Sequence, residues 1–180
     1  MRKQALRARG ELSEEVRKYR NELLNLRLLI FLNEVGFDAL GFYLPIGSEA
    51  DISPAVIKWA SANSSRRLFL PVTKGKQMYF AHWTFGAPLK KGNFGVLEPL
   101  SKEIGRPPLL LVPCVALNSC GYRLGYGAGF YDRYLCSDAK NPYTVGICFS
   151  EFCELNFPAD PFDIPLNASI SENGFRQFKN

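Results

Sequence analysis

The sequence predicts a three-layer α/β fold with a largely parallel, mixed central sheet and helices on both faces. Three observations predict it. Apolar runs of strand length recur at Ala39–Leu44, Arg67–Pro71, Leu109–Val112 and Thr144–Phe149, with helical patterns between several of them. No internal repeat or linker divides the 180 residues, so residues 1–180 read as one domain, long enough to bury most of its apolar surface. A glycine-dense stretch follows the third run and precedes a short helical segment, an order that builds a phosphate site in α/β proteins.

Taken in order, the chain opens with Arg2, Lys3, Arg7 and Arg9. If Lys3–Arg9 is helical, Lys3 and Arg7 stand at i, i+4 on one face and reach a single phosphate chain; a solvated basic tail is the alternative. Ser13 followed by Glu14 and Glu15 is a helix N-cap with acids in the first turn. Beyond it Val16, Tyr19, Leu23 and Leu26 repeat at helical spacing, and the helix runs to about Phe31. Ala39–Leu44 has the aromatic and aliphatic content of a central strand. Glu49 and Asp51 follow it, just past the C-terminal end of a strand, where ligands bind open α/β sheets. Pro54 starts a helix through Trp59 towards Asn63. Arg67–Pro71 is the next strand, and Met78–Trp83 pairs antiparallel beyond a short turn at Gly75. His82 packs or faces solvent. Ala87–Glu98 reads as loop, and Arg106-Pro-Pro108 breaks the chain before the strand Leu109–Val112. After the glycines, Phe130–Cys136 starts a helix and Thr144–Phe149 is a further buried strand. Phe157–Pro165 is proline-rich and acidic, and the tail ends near Ser171-Glu-Asn-Gly.

Composition narrows the function. Apolar residues make up 47%, which excludes a disordered chain. A net charge of +5 suits polyanionic partners, a set that includes nucleotides, polyglutamyl tails and nucleic acid. The five cysteines show no C-x-x-C and His82 is the single histidine, so no zinc site is expected. Their odd number and irregular spacing read as the reduced thiols of a cytoplasmic protein. Met-Arg-Lys-Gln has no apolar stretch behind it, so no signal peptide is expected. Leu23–Leu32 is too short to span a bilayer.

The stretch Gly121-Tyr-Arg-Leu-Gly-Tyr-Gly-Ala-Gly-Phe-Tyr-Asp-Arg-Tyr134 carries the chemistry. Gly121, Gly125, Gly127 and Gly129 lie within nine residues and free the backbone to turn and present N–H groups to an anion. No Gly-Lys-Ser or Gly-Lys-Thr closes it, so it is not a Walker loop, and its G-x-G-x-G spacing is a poor dinucleotide fingerprint. A glycine-rich surface turn is the plain alternative. Arg123 and Arg133 inside the stretch point to phosphate, and Asp132 adds a hard oxygen ligand suited to magnesium.

Val112-Pro-Cys-Val-Ala-Leu-Asn118 followed by Gly121–Leu135 resembles the signature of the 5-formyltetrahydrofolate cyclo-ligases, also called methenyltetrahydrofolate synthetases. Lys3-x-x-Leu-Arg7, Leu44 through Glu49-Ala-Asp51, Phe94-Gly-Val-Leu-Glu-Pro99 and Phe162-Asp-Ile-Pro-Leu166 resemble further motifs of that family, in its order and over nearly the whole chain. The resemblance implies a Rossmann-like architecture and a monomer. It also implies ATP- and magnesium-dependent closure of 5-formyltetrahydrofolate, with or without a polyglutamyl tail, to 5,10-methenyltetrahydrofolate with release of ADP and phosphate. On that resemblance Lys3, Arg7, Arg123 and the stretch Leu124, Gly125, Tyr126, Gly127, Ala128, Gly129, Phe130 and Tyr131 hold ATP. Leu44, Glu49, Tyr126 and Phe130 contact the folate, Asp132 helped by Asp163 binds magnesium, and Arg123, Tyr126 and Asp132 act in catalysis. Phe94 and Trp83 are candidates to pack on the flat ring. Neither a nucleic acid nor a membrane is an expected partner.

The sequence departs from the family's usual residues in places. Glycine is usual where Cys114 stands and aspartate where Asn118 and Pro108 stand; threonine is common near Ile52, and glutamine where Phe152 stands. Three other readings stay open. An NAD-dependent oxidoreductase would use the glycine loop for pyrophosphate and Glu151 for the ribose hydroxyls. A nucleic-acid-binding module would draw on the basic N-terminus. A degenerate nucleotide-binding homologue would keep the loop without the turnover.

Overall fold

The computed structural model describes residues 1–137 and 142–179. The basic N-terminal stretch is helical, the condition under which Lys3 and Arg7 share a face: α1 (Arg2–Glu11) leads through Leu12 and Ser13 into α2 (Glu14–Glu34). The Ser13 hydroxyl accepts from the Val16 N–H at 3.3 Å, with Glu14 and Glu15 in the first turn of α2. The core side of α2 is Leu24, Leu28, Phe31 and Leu32. It is not the Val16, Tyr19, Leu23, Leu26 repeat that marks the helix in the sequence; Val16, Tyr19 and Leu26 are exposed.

The strand read as Ala39–Leu44 is shorter in regular form, β1 (Ala39–Gly41), with one more bond from Phe42 N–H to the Phe69 carbonyl. α3 (Ser53–Ser61) has Pro54 in its first turn, where a missing N–H costs nothing. β2 (Arg67–Lys74) turns at Gly75, at φ +59°, into antiparallel β3 (Gln77–Trp83). The expected loop Ala87–Glu98 is instead a small antiparallel ribbon, β4 (Leu89–Lys91) and β5 (Leu97–Pro99), closed by a tight turn at Asn93–Gly95. The physical reason is Glu98: its buried carboxylate accepts from the Thr73 N–H at 2.9 Å and hydroxyl at 3.1 Å, pinning the ribbon to β2. β6 (Ile104–Gly105) and β7 (Leu109–Pro113) follow. A second ribbon, β8 (Ala116–Leu117) and β9 (Arg123–Leu124), stands between the β7 strand and the glycine loop. α4 (Phe130–Ser137) and β10 (Tyr143–Ile147) come next. The chain closes on a hairpin that the proline-rich tail does not announce, β11 (Ala168–Ser171) and β12 (Gly174–Gln177).

The main sheet has eight strands in the order β12-β11-β10-β7-β1-β2-β3-β6. β11, β10, β7, β1 and β2 pair in parallel, and β12, β3 and β6 are antiparallel additions at its edges. Strand register assigns the faces. Phe175 pairs with Ile170 and stacks on Phe31 of α2 at 5.3 Å between ring centroids, so α2 covers the face bearing Ile147 and Ile170. On the opposite face Phe80 meets Tyr134 of α4 edge-on at 5.1 Å. There Gly41 lets its neighbours close in, since an added Cβ would come within 2.4 Å of Leu110 Cδ2. The core is continuous between these layers, with Leu40, Leu109, Leu110, Leu111 and Val112 wholly buried in the central strands.

From β1 the chain moves outward to β2, then returns to lay β7 on the other flank of β1. The strand order reverses at that point, and the C-terminal ends of β1 and β7 open a crevice between the loops that leave them.

Candidate active site

Four segments converge on the β1/β7 crevice. The loop after β1 brings Leu44, Ser48 and Glu49, β7 ends at Pro113 and Cys114, the β8–β9 ribbon leads into the glycine loop, and α1 lies across the opening. One side chain joins them all. Arg9, buried to 3% exposure on α1, donates from Nε to the Ser48 hydroxyl at 3.0 Å, from Nη1 to the Cys114 carbonyl at 3.2 Å, and from Nη2 to the Tyr126 hydroxyl at 2.7 Å. The solvated basic tail is therefore corrected for Arg9, which is buried, while Arg2 is exposed. Arg9 is an internal tether, and Arg2 leans over the glycine loop, with its Nη1 3.3 Å from where a Cβ on Gly127 would sit. The reason is helix phase: Arg9 lies one turn beyond the buried Ala5, on the inward side of α1. Lys3 and Arg7 do share a helical face, but both are exposed, and Arg7 pairs with Glu11 at 2.7 Å.

Glu49 lies within the crevice at 6% exposure, and its Oε2 accepts from the Ile46 N–H at 2.8 Å. Burial raises its carboxyl above the ordinary range, while the Ile46 bond, the Arg9 charge and the Tyr126 hydroxyl pull it back. Tyr126 shares this cluster: burial and the Glu49 charge raise its hydroxyl, against Arg9. Burial likewise lifts Tyr131, with Glu49 adding to the shift, and its hydroxyl is buried with no hydrogen-bond partner among the described residues. A buried phenol in that state is a ready contact for a bound molecule. Cys114 lies under the same cluster, and burial pushes its thiol up to about 12. Arg9, Tyr43, Glu49, Ala50 and Cys114 line a tight cleft at this point, too narrow for a water molecule.

The glycine loop turns through φ +99° at Gly127 and +66° at Gly129. Two guanidinium groups cover these glycines, Arg2 over Gly127 and Arg133 over Gly129, where an added Cβ would come within 2.8 Å of Arg133 Nη1. Side chains at either position would displace the cations from the backbone. Arg133 is held there by the Ala128 and Lys76 carbonyls, each at 2.8 Å, and lies 5.1 Å over the Phe130 ring. Phe94, 72% exposed, meets Phe130 edge-on at 5.9 Å, leaving an aromatic rim beside the loop. Trp83 instead packs on Phe42, and its indole N–H donates to the Ala87 carbonyl at 3.1 Å.

Arg123 is not an open phosphate arm in this structure. Its buried side chain donates from Nη2 to Asp132 Oδ1 at 2.6 Å and from Nη1 to the Ile164 carbonyl at 3.0 Å. Asp132 Oδ1 also accepts from the Ile164 N–H at 3.2 Å. These bonds lock the start of α4 to the segment that carries Asp163, whose own Oδ2 accepts from the Asp160 N–H at 2.9 Å. Among the described residues both hydrogen bonds of Asp132 fall on Oδ1. No cluster of three or more metal-ligating side chains occurs among the described residues. One or two carboxylates completed by phosphate oxygens and water are nonetheless what magnesium takes, and these acids fit that group.

The departures have local explanations. Asn118 builds the turn of the β8–β9 ribbon, accepting from the Cys120 and Tyr122 N–H groups at 3.0 Å and donating to the Phe157 carbonyl at 3.1 Å. Only an amide does both, so the residue belongs to the ribbon. Phe152 is a core side chain. Glu151 is paired with Arg20 at 3.0 Å, which weighs against a ribose contact, and His82 faces Glu103 at 3.6 Å, away from the crevice. Sequence reasoning missed Arg9 and the paired state of Arg123. A charged residue at an inward phase of a helix was the available signal for the first; nothing in the sequence marks the second. Among the described residues no helix is long and apolar enough to cross a membrane.

Comparison with known proteins identifies the family. The model of the 5-formyltetrahydrofolate cyclo-ligase family matches residues 1–172. The 5-formyltetrahydrofolate cyclo-ligase of Mycoplasma pneumoniae is 27% identical over 96% of each chain, and that of Escherichia coli K12 is 25% identical over 91% of this chain and 93% of its own. Among solved structures, a 5,10-methenyltetrahydrofolate synthetase of M. pneumoniae superposes with a TM-score of 0.77 at 26% identity, over 95% of this chain and 96% of its own. That of Aquifex aeolicus superposes with a TM-score of 0.80 at 30% identity, over 99% and 91%. With the family model matched over residues 1–172 and both solved structures superposing over nearly the whole chain, this chain belongs to the 5-formyltetrahydrofolate cyclo-ligase family and is an enzyme of that kind.

Proposed function

We propose that residues 1–180 act as one cytoplasmic domain that closes 5-formyltetrahydrofolate to 5,10-methenyltetrahydrofolate, at the expense of ATP and with magnesium. The observation that carries this reading is the joint site at the β1/β7 crevice. There the buried Glu49 carboxylate adjoins, through Arg9 and Tyr126, a glycine loop whose backbone lies under two guanidinium groups.

The chemistry sets what the site must do. A formyl oxygen is a poor leaving group, so dehydration requires its activation. The γ-phosphoryl of ATP passes to that oxygen, giving an iminium phosphate; N10 attacks the adjacent carbon and phosphate departs. Catalysis is then positioning and neutralisation of charge. Leu124 to Tyr131 carry the triphosphate on their N–H groups, with Arg2 and Arg133 over the glycines and Lys3 and Arg7 on the adjoining helix. Arg123 acts by fixing Asp132 and swings to phosphate only if that pair opens. Asp132, helped by Asp163, holds magnesium, which supplies charge neutralisation at the phosphates when bound. Glu49 accepts from pterin N–H groups, beside Leu44, Tyr126 and Phe130, and the Phe94–Phe130 rim packs on the flat part of the folate.

The test is turnover by purified protein. Methenyl absorbance should appear only with 5-formyltetrahydrofolate, ATP and magnesium together, with one ADP and one phosphate per product. Product without nucleotide, or nucleotide hydrolysis without product, would defeat the reading.

A further inference from the structure

Three thiols gather where β10 leaves the sheet. Cys114 and Cys148 are buried and line the tight cleft with Arg9 and Glu49, and Cys153 is partly exposed. A single helical turn, Ser150–Phe152, separates Cys148 from Cys153. Bonds from the Phe152 N–H to the Phe149 carbonyl at 2.9 Å and from the Cys153 N–H to the Ser150 carbonyl at 3.0 Å fold the chain back on itself there. The two side chains meet across this turn, the Cys148 thiol donating to the Cys153 sulfur. Their other contacts are weak thiol ones: Cys148 Sγ reaches the Val115 carbonyl at 3.9 Å, and Cys153 Sγ the Phe149 carbonyl at 3.6 Å.

The pair is chemically unequal. The Cys148 bond holds the Cys153 thiol below the ordinary range, against burial and Glu172 and with help from the Arg176 charge. The same bond, and then burial, raises Cys148. Cys114 stays a thiol: burial pushes it up to about 12, and it donates to the Val112 carbonyl at 3.4 Å. A partly exposed sulfur with thiolate character beside a buried protonated thiol is the arrangement that peroxides oxidise selectively.

We propose that Cys148 and Cys153 are a peroxide-oxidised pair that closes to a disulfide, with Cys153 attacking and Cys148 resolving. The Cys153 thiolate attacks one oxygen of hydrogen peroxide, the O–O bond breaks, and hydroxide departs from a Cys153 sulfenic acid. Cys148 Sγ then attacks that sulfur; the S–O bond breaks, and the thiol proton leaves with the hydroxyl as water. Two electrons pass from the thiols to the peroxide, and a dithiol reductant restores them by exchange. Oxidation thereby ties down a side chain of the cleft that Arg9 and Glu49 share.

Mass spectrometry of the full chain after hydrogen peroxide, under non-reducing conditions, tests this independently of catalysis. Cys120→Ser and Cys136→Ser in the same chain remove the two exposed thiols. The intact mass should fall by two hydrogen atoms, and proteolysis after Glu151 should leave the Cys148 and Cys153 fragments joined until dithiothreitol parts them. Added to that chain, Cys148→Ala should stop at a Cys153 sulfenic acid that dimedone captures, and Cys153→Ala should react about tenfold more slowly or less. Far-ultraviolet spectra confirm that each variant is folded, and the disulfide map needs neither alanine variant. No loss of mass, a disulfide to Cys114 instead, or undiminished oxidation of the Cys153→Ala chain would overturn the proposal.

Discussion

The Arg9 guanidinium donates to the Tyr126 hydroxyl at 2.7 Å, joining the first helix to the glycine loop across 117 residues of sequence. The same side chain holds Ser48, next to Glu49, and the end of β7. The first helix is thereby a third wall of the crevice, and the glycine loop and the Glu49 loop share one cation.

Arg9→Met should destabilise the fold by about 3 kcal/mol, the cost typical of breaking a buried charged contact by removing one partner. It should also raise KM for both ATP and folate. Arg9→Lys keeps the charge with fewer bonds and should fall between. Thermal melts and steady-state kinetics check both; a loss confined to ATP would make Arg9 a simple phosphate contact.

Tyr126→Phe removes one acceptor from Arg9 and should cost about 1 kcal/mol or less. Its effect should be kinetic, since the hydroxyl also lies against Glu49. Unchanged turnover with an unchanged melt would remove Tyr126 from the site.

Glu49→Gln separates function from stability. The carboxyl is raised in the folded state, chiefly by burial. The native protein therefore binds more protons than the unfolded chain between the two pKa values, so the stability this group contributes is complete below the unfolded value and is lost as pH rises through the folded one. Glu49→Gln should thus melt higher relative to wild type as pH rises across the mildly acidic range, with the difference constant above it. Folate KM should rise far more than ATP KM. A melting difference independent of pH would contradict the burial argument.

Asp132→Asn and Asp163→Asn test the metal assignment. Asp132 is the counter-charge of buried Arg123, so Asp132→Asn should lose about 1–3 kcal/mol of stability in addition to most of its turnover. Asp163→Asn leaves that pair intact and should raise the magnesium requirement with little change in the melt. Magnesium titrations of both variants at a temperature where each is folded make the comparison; unchanged curves would put the cation elsewhere.

The parallel strands, the capped helix at Ser13 and the glycine loop were legible because each rests on local chemistry: an apolar run, a cap with acids behind it, and backbone at positive φ. The β4–β5 ribbon was not, because its cause is the distant bond between Glu98 and Thr73. The roles of Arg9 and Arg123 were hidden for the same reason. A basic residue reads as solvated until its partners are known, and Cys114, Tyr126 and Ile164 lie far along the chain. The repeat Val16, Tyr19, Leu23 and Leu26 marked the helix but not its buried side, since periodicity alone does not tell which apolar stripe meets the sheet.

The central claim is that phosphoryl transfer to the formyl oxygen drives ring closure. 5-Formyltetrahydrofolate carrying heavy oxygen in the formyl group, turned over with unlabelled ATP and magnesium in unlabelled water, tests it by mass spectrometry of the released phosphate. The account predicts that each phosphate carries one heavy oxygen atom. Unlabelled phosphate alongside normal methenyl product would contradict it.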